Sequence, residues 1–244
     1  KQSLIPFIKL AQAQNPDMTF WISPWSPPTW LKTNKHYANR SGGNNGLSRA
    51  NQVPLYTDQV IQKPEYLKAY ALYFSKFIDA YKQQQIPITA VCYQNEAYSF
   101  TIYPGCSWST DGIIRFNYEY LKPQLKTTHP EVEIWLGTMN QGNAKIFEQI
   151  LANNEQTPTF NAVGYQWEGA SALPVIKHKY PNLPAVQTES ECGSGTFDWG
   201  AAEHTFDLIH HYISNGCEKY TYWDPILKDK GASTWGWLQN SLIQ

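Results

Sequence analysis

Glu96 closes the run ITAVCYQNE, and Glu189 closes the run PAVQTE. Each run reads as a short apolar strand, so each carboxylate is expected at the carboxyl end of a strand. A carboxylic acid that protonates a leaving oxygen, opposed by a carboxylate on the other face of a sugar ring, is the pair that glycoside hydrolysis requires. If the second carboxylate attacks the anomeric carbon, the two lie about 5–5.5 Å apart and configuration is retained. A lone glutamate at a strand end is more often solvated or salt-bridged. Two of them, each flanked by polar and aromatic residues, bring the chemical reading level with the plain one. Asn95 sharpens it, because an amide beside the acid can hold a sugar 2-hydroxyl while positive charge develops on the ring. The plainer reading of Asn95 is a strand-end amide bonding local backbone.

The elements that must position these groups alternate. Strands are expected over residues 19–23, 88–94, 132–137, 160–167, 185–189 and 220–223. Helices are expected over 4–14, 63–85, 111–126, 144–153, 172–179 and 199–215. In the second helix Leu67, Tyr70, Ala71, Phe74, Phe77, Ile78 and Tyr81 fall on one stripe at three- and four-residue steps. Pro64 suits its first turn, Thr110 or Asp111 the cap of the third, and Gly216 the stop of the last. The strands are apolar through most of their length, as in a parallel sheet buried on both faces. Such alternation leaves an open doubly wound sheet or a closed (β/α)8 barrel. No GxGxxG or P-loop follows a strand, and the chemistry-bearing residues sit at the ends of several strands, which favours the barrel. A complete barrel has eight strands, so six suggest strands 3 to 8 of a barrel truncated at its amino end. The chain reads as one catalytic domain, 1–244, a fragment of something longer.

Two long connections, 32–62 and 97–110, follow strand ends and would shape a cleft on the catalytic face. A net charge of -1 argues against nucleic acid or an anionic membrane as partner. There is no apolar run long enough to span a bilayer. Ten Trp and 16 Tyr exceed what a core of this size needs, and ring faces that stack on sugars are one use for them. Cys92, Cys106, Cys192 and Cys217 lack zinc spacing and read as buried or free thiols; a Cys106–Cys192 bridge has weak support. His204, His210 and His211 share a helix with Glu203 and Asp207 but form no HExxH, so a solvated face is expected there. No metal or cofactor is implied. No GxSxG elbow supports a serine hydrolase.

The run SPWSPPTWLKTN (23–34), the QNE of 94–96, TESEC (188–192) and STWGWLQNSLI (233–243) resemble glycoside hydrolase family 30, the group of glucosylceramidases and endo-β-1,6-glucanases. The resemblance implies a (β/α)8 barrel with a side β-sandwich, and that sandwich is missing from this chain. It also implies a retaining mechanism, with Glu96 as acid/base and Glu189 as nucleophile. Asn95 takes the 2-hydroxyl position, and Trp25 and Trp223 become walls of the sugar pocket. Tyr165 and Trp167 fall on a strand whose end lines it. Strand parity cannot separate Glu189 from Glu191, two residues on; the distance from Pro181-Asn182 places Glu189 at the family's nucleophile position. The expected substrate is a β-glucoside or β-glucan. The polar loops favour an endo-β-1,6-glucanase, with a glucosylceramidase as the alternative. A sugar-binding remnant without turnover is the reading from another class. A secreted or periplasmic location would follow from a leader ahead of Lys1.

Overall fold

The computed structural model describes all residues except 1–3, 191–192, 225, 228–230, 234 and 242–244. Strands and helices alternate as the periodicity requires. In chain order they are α1 (Leu4–Gln14), β1 (Phe20–Ile22), α2 (Pro64–Lys82), β2 (Ile88–Cys92), α3 (Thr110–Arg115), α4 (Lys122–Thr128), β3 (Glu133–Met139), α5 (Ala144–Leu151), β4 (Ala162–Gln166), α6 (Leu173–Lys179), β5 (Ala185–Glu189) and α7 (Trp199–Ser214). The five strands are parallel and pair strictly in chain order. A doubly wound sheet reverses its strand order at a switch point. Unbroken chain order is instead the arrangement of a barrel wall, here a half-barrel.

The wall has two different faces. Its outer face packs on the helices in one large core, in which α2 contributes Leu67, Tyr70, Phe74 and Ile78. The Tyr70 ring lies 5.0 Å from Phe116, stacked, and 5.1 Å from Phe74. Phe77 and Tyr81, also on the expected stripe, stack on one another at 4.6 Å at the edge of this core. The inner face carries a smaller cluster of Ala90, Cys92, Trp135, Ala162 and Val186, with Trp21 against it. Small side chains here sit beside two indoles, so the inner face is filled by Trp21 and Trp135.

The structure departs locally from the sequence reading in three places. The third helix begins one position earlier than expected, with Ser109 as its cap, accepting from Gly112 N at 2.9 Å. Ser109 is fixed by Asp58, which accepts from its N–H and its hydroxyl, both at 2.9 Å. Gly112 has to be glycine there, because a Cβ would collide with Asp58 Oδ1. The same helix then widens into a π-turn, Phe116–Leu121, before α4. Finally, 220–223 does not form the sixth strand. The preceding segment does run beside β5, with Glu218 N–H bonded to Ala185 O (2.8 Å) and Gln187 N–H to Lys219 O (3.0 Å). The next rung is taken by a side chain, Gln187 Oε1, which accepts from Thr221 N, and the ladder stops.

The two long loops are joined by a buried lysine. Lys32 is fully buried, and its Nζ donates to Gly105 O (2.6 Å), Tyr37 O (2.8 Å) and Ser26 Oγ (2.9 Å). All three donor hydrogens are thereby used across 26–38 and 97–110. Burial pulls the ammonium down to about 8. Lys32→Met leaves three acceptors without their donor. We expect a loss of about 3 kcal/mol of unfolding free energy, measured in urea. Loss below about 0.5 kcal/mol would show that water replaces the clamp.

Candidate active site

Both glutamates reach one cavity at the carboxyl ends of the strands. Inward residues of β2 alternate as Ala90 and Cys92, and continuing the same parity past the strand leads through Gln94 to Glu96. Glu189 is the last residue of β5. The cavity, ≈ 470 Å³, is lined by both carboxyls together with Trp25, Tyr103, Trp167, Trp223 and several polar residues. Glu96 and Glu189 are 9% and 8% exposed, so each keeps only an edge toward the cavity.

Each carboxyl is held by side-chain donors. Gln166 Nε2 donates to Glu96 Oε1 at 2.9 Å, while Thr188 Oγ1, 3.2 Å from Gln166 Oε1, orients that amide. Trp167 Nε1 donates to Glu189 Oε1 at 3.2 Å. Thr138 Oγ1 receives the Glu96 backbone N–H (3.1 Å) and donates to Asn95 Oδ1 (2.9 Å). Asn95 N–H bonds Pro24 O at 2.9 Å, and the residue is buried behind Glu96 rather than among those that line the cavity. Glu96 and Trp167 both adopt the left-handed backbone region, with φ of 48° each. For such residues this costs on the order of 1 kcal/mol or more, so the surroundings must hold them there.

Electrostatics couples the two acids. Burial raises the Glu96 carboxyl, opposed by the Gln166 bond. Burial and then the charge of Glu96 push Glu189 up to about 8. Because the Glu96 charge disfavours an ionised Glu189, the two carboxyls titrate as a coupled pair. The Tyr103 phenol is raised by burial and by both carboxylates.

Of the residues singled out from sequence, Glu96, Glu189, Trp25, Trp167 and Trp223 meet at the cavity. Trp25 and Trp223 stack at 5.8 Å with 23° between planes. Tyr165 does not join them. It faces outward on β4, buried and stacked on Phe147 of α5 at 5.6 Å, because Gln166 takes the inward position beside it. Trp167 escapes the strand's alternation by its left-handed backbone, which starts a 3-10 turn. Glu191 and Cys192 lie outside the described residues, and Cys106 is a free, buried thiol. His211 bonds Ala170 O at 3.0 Å and His210 stacks on Phe206, so these two rings face their own surroundings. No helix among the described residues is long and apolar enough to cross a membrane. The sequence reading missed Gln166, Thr138, Tyr103 and Trp237. A signal for Gln166 was present, a lone amide in the otherwise apolar and aromatic run AVGYQW.

A carboxyl pair at the strand ends of a half-barrel, walled by aromatic rings, defines an α/β-barrel domain of the carboxylate-pair type. Residues 1–240 match the glycosyl hydrolase family 30 TIM-barrel domain, and the chain belongs to that family. It is 26% identical over 249 residues to putative glucosylceramidase 1 of Caenorhabditis elegans, covering 95% of this chain and 45% of that protein. It is 27% identical over 188 residues to the endo-1,6-beta-D-glucanase BGN16.3 of Trichoderma harzianum, covering 72% of this chain and 35% of that one. Among solved structures, SrfJ from Salmonella typhimurium superposes with a TM-score of 0.79 at 22% identity, covering 98% of this chain and 51% of SrfJ. The chain thus spans about half the length of the relatives it matches or less.

Proposed function

We propose that the protein is a retaining β-glycoside hydrolase acting on a β-linked glucan, an endo-β-1,6-glucanase. The observation that carries the chemistry is the meeting of two nearly buried carboxyls, each held by a side-chain donor, in one cavity. In this reading Glu189, ionised, attacks the anomeric carbon. Glu96, protonated, gives its proton to the departing oxygen as the glycosidic C–O bond breaks. That charge state places the pair's proton on Glu96 once substrate is bound, whereas burial and the Glu96 charge favour it on Glu189 in the free protein. Trp167 keeps one Glu189 oxygen engaged and leaves the other for the attack, and Gln166 holds Glu96 in register with the leaving oxygen. In the second half, Glu96 takes a proton from water, which then attacks the glycosyl–Glu189 ester and frees the carboxylate. In this reading Asn95 holds the 2-hydroxyl.

Polar loops and an aromatic cavity favour a glucan over a lipid glycoside. Among the described residues that line the cavity Leu238 alone is aliphatic, and the rest are aromatic, polar or glycine. The glucosylceramidase reading is favoured by a different observation, the 95% coverage of this chain by a relative of that name. Product analysis separates them. The protein, expressed from its complete reading frame, is expected to release β-1,6-linked oligosaccharides from pustulan and to leave glucosylceramide intact. Release of glucose from glucosylceramide alone would reverse the order. Tight binding of both without turnover would identify a sugar-binding remnant.

A further inference from the structure

Beyond the two carboxyls the cavity opens onto aromatic rings that the chemistry above does not use. Tyr103 stands 5.7 Å from Trp25, and on its far side it meets Trp235 at 5.6 Å and Trp237 at 5.4 Å. Trp235 and Trp237 stack on each other at 5.7 Å with 18° between planes. The backbone holds them so. Ser233 N–H bonds Trp237 O (2.9 Å), and Ser233 Oγ accepts from the N–H groups of Trp235 and Trp237, both at 3.2 Å. Gly236 between them has φ +95, a conformation side chains rarely adopt, with open space where a Cβ would be. Backbone geometry, not crowding, therefore demands glycine there.

The rings are tied to the carboxyl site as well as adjacent to it. With its amide oxygen turned toward the rings, Gln239 accepts from Trp223 Nε1 at 2.7 Å and from Trp237 Nε1 at 3.1 Å. One amide thus fixes a ring of the inner pocket and a ring of the outer group. Trp237 and Gln239 themselves line the cavity, and Trp235 is 41% exposed at its outer edge.

We infer that Tyr103, Trp235 and Trp237 form a second sugar subsite, which takes the neighbouring pyranose of a β-glucan whose scissile residue lies between Glu96 and Glu189. This rests on the glycosidase reading above. Flat ring faces match the apolar C–H faces of a pyranose, while the Tyr103 phenol and the Gln239 amide lie within the same surface for its hydroxyls. An acyl chain would instead need a continuous aliphatic surface, and among the described residues Leu238 is the single aliphatic side chain lining the cavity.

The test uses Trp235→Ala in the protein expressed from its complete reading frame. It compares kcat/KM on an aryl β-glucoside with that on a β-1,6-glucotetraose, and titrates both sugars calorimetrically into a Glu189→Gln background. We expect the tetraose-to-monoglucoside ratio of kcat/KM to fall about tenfold, mostly through KM, with a matching loss of tetraose affinity. Trp235→Phe should recover most of it. An unchanged ratio, or equal loss on both substrates, overturns the subsite. So does a loss seen only with a long-chain alkyl β-glucoside, which would make the rings a lipid dock. If neither the tetraose nor the aryl glucoside is turned over, the glycosidase reading fails. The titration then decides the subsite by whether tetraose affinity depends on Trp235.

Discussion

Glu189→Gln is expected to lower kcat by at least about 10⁴-fold on every substrate, because an amide cannot form the glycosyl ester. The same substitution should change stability in the opposite sense. The Glu189 carboxyl is pushed from its ordinary 4.5 up to about 8, by burial first and by the Glu96 charge second. The fold therefore favours the neutral form. The stability it contributes is complete below about pH 4.5 and is lost as pH rises through about 8. Glutamine is neutral throughout and keeps that contribution. Melting curves across pH should coincide below about pH 4.5, draw apart between about 4.5 and 8, and stay apart by a constant margin above that, with the variant melting higher. An inactive variant with the same pH profile as the native protein would mean that Glu189 carries no unusual charge cost. Full activity in Glu189→Gln, with loss in Glu191→Gln, would move the nucleophile two residues along the chain.

Glu96→Ala should give a different defect, and the difference separates the roles. Removing a proton donor costs roughly 10²–10⁴-fold where the leaving group needs the proton. Glucan cleavage should fall by about that factor. An aryl glucoside with an acidic phenol departs unaided, so its first step survives. The second step still lacks a base, and the glycosyl–Glu189 ester should accumulate as a burst of phenol. Azide needs no base, and the room left by the lost carboxyl admits it. Added azide should therefore restore turnover and yield a glycosyl azide of β configuration. An α-azide, or rescue of Glu189→Gln in place of Glu96→Ala, would exchange the two assignments.

The sequence made legible what depends on period and position. The apolar stripe from Leu67 to Ile78 gives α2, and the strand-end places of Glu96 and Glu189 bring them to one cavity. Features decided by a partner distant in sequence were out of reach. Ser109 rather than Thr110 caps its helix because Asp58, 51 residues away, holds it. The strand expected at 220–223 is ended by the side chain of Gln187. Tyr165 and Trp167 share a parity, yet only Trp167 reaches the cavity, because its backbone turns left-handed. Gln166 looked like a stray amide and proves to be the partner of Glu96.

The left-handed backbone at Glu96 and Trp167 bears on what kind of protein this chain has been. Glycine would sit at φ 48° without strain, and asparagine with little. Burying a carboxyl at Glu96 adds a second penalty. A lineage selected only to stay folded, or only to hold sugar, gains by trading both residues away, since most drift is judged by stability. A glutamate and a tryptophan in left-handed backbone at the cavity are what a trade of robustness for turnover would look like in the glycosidase reading.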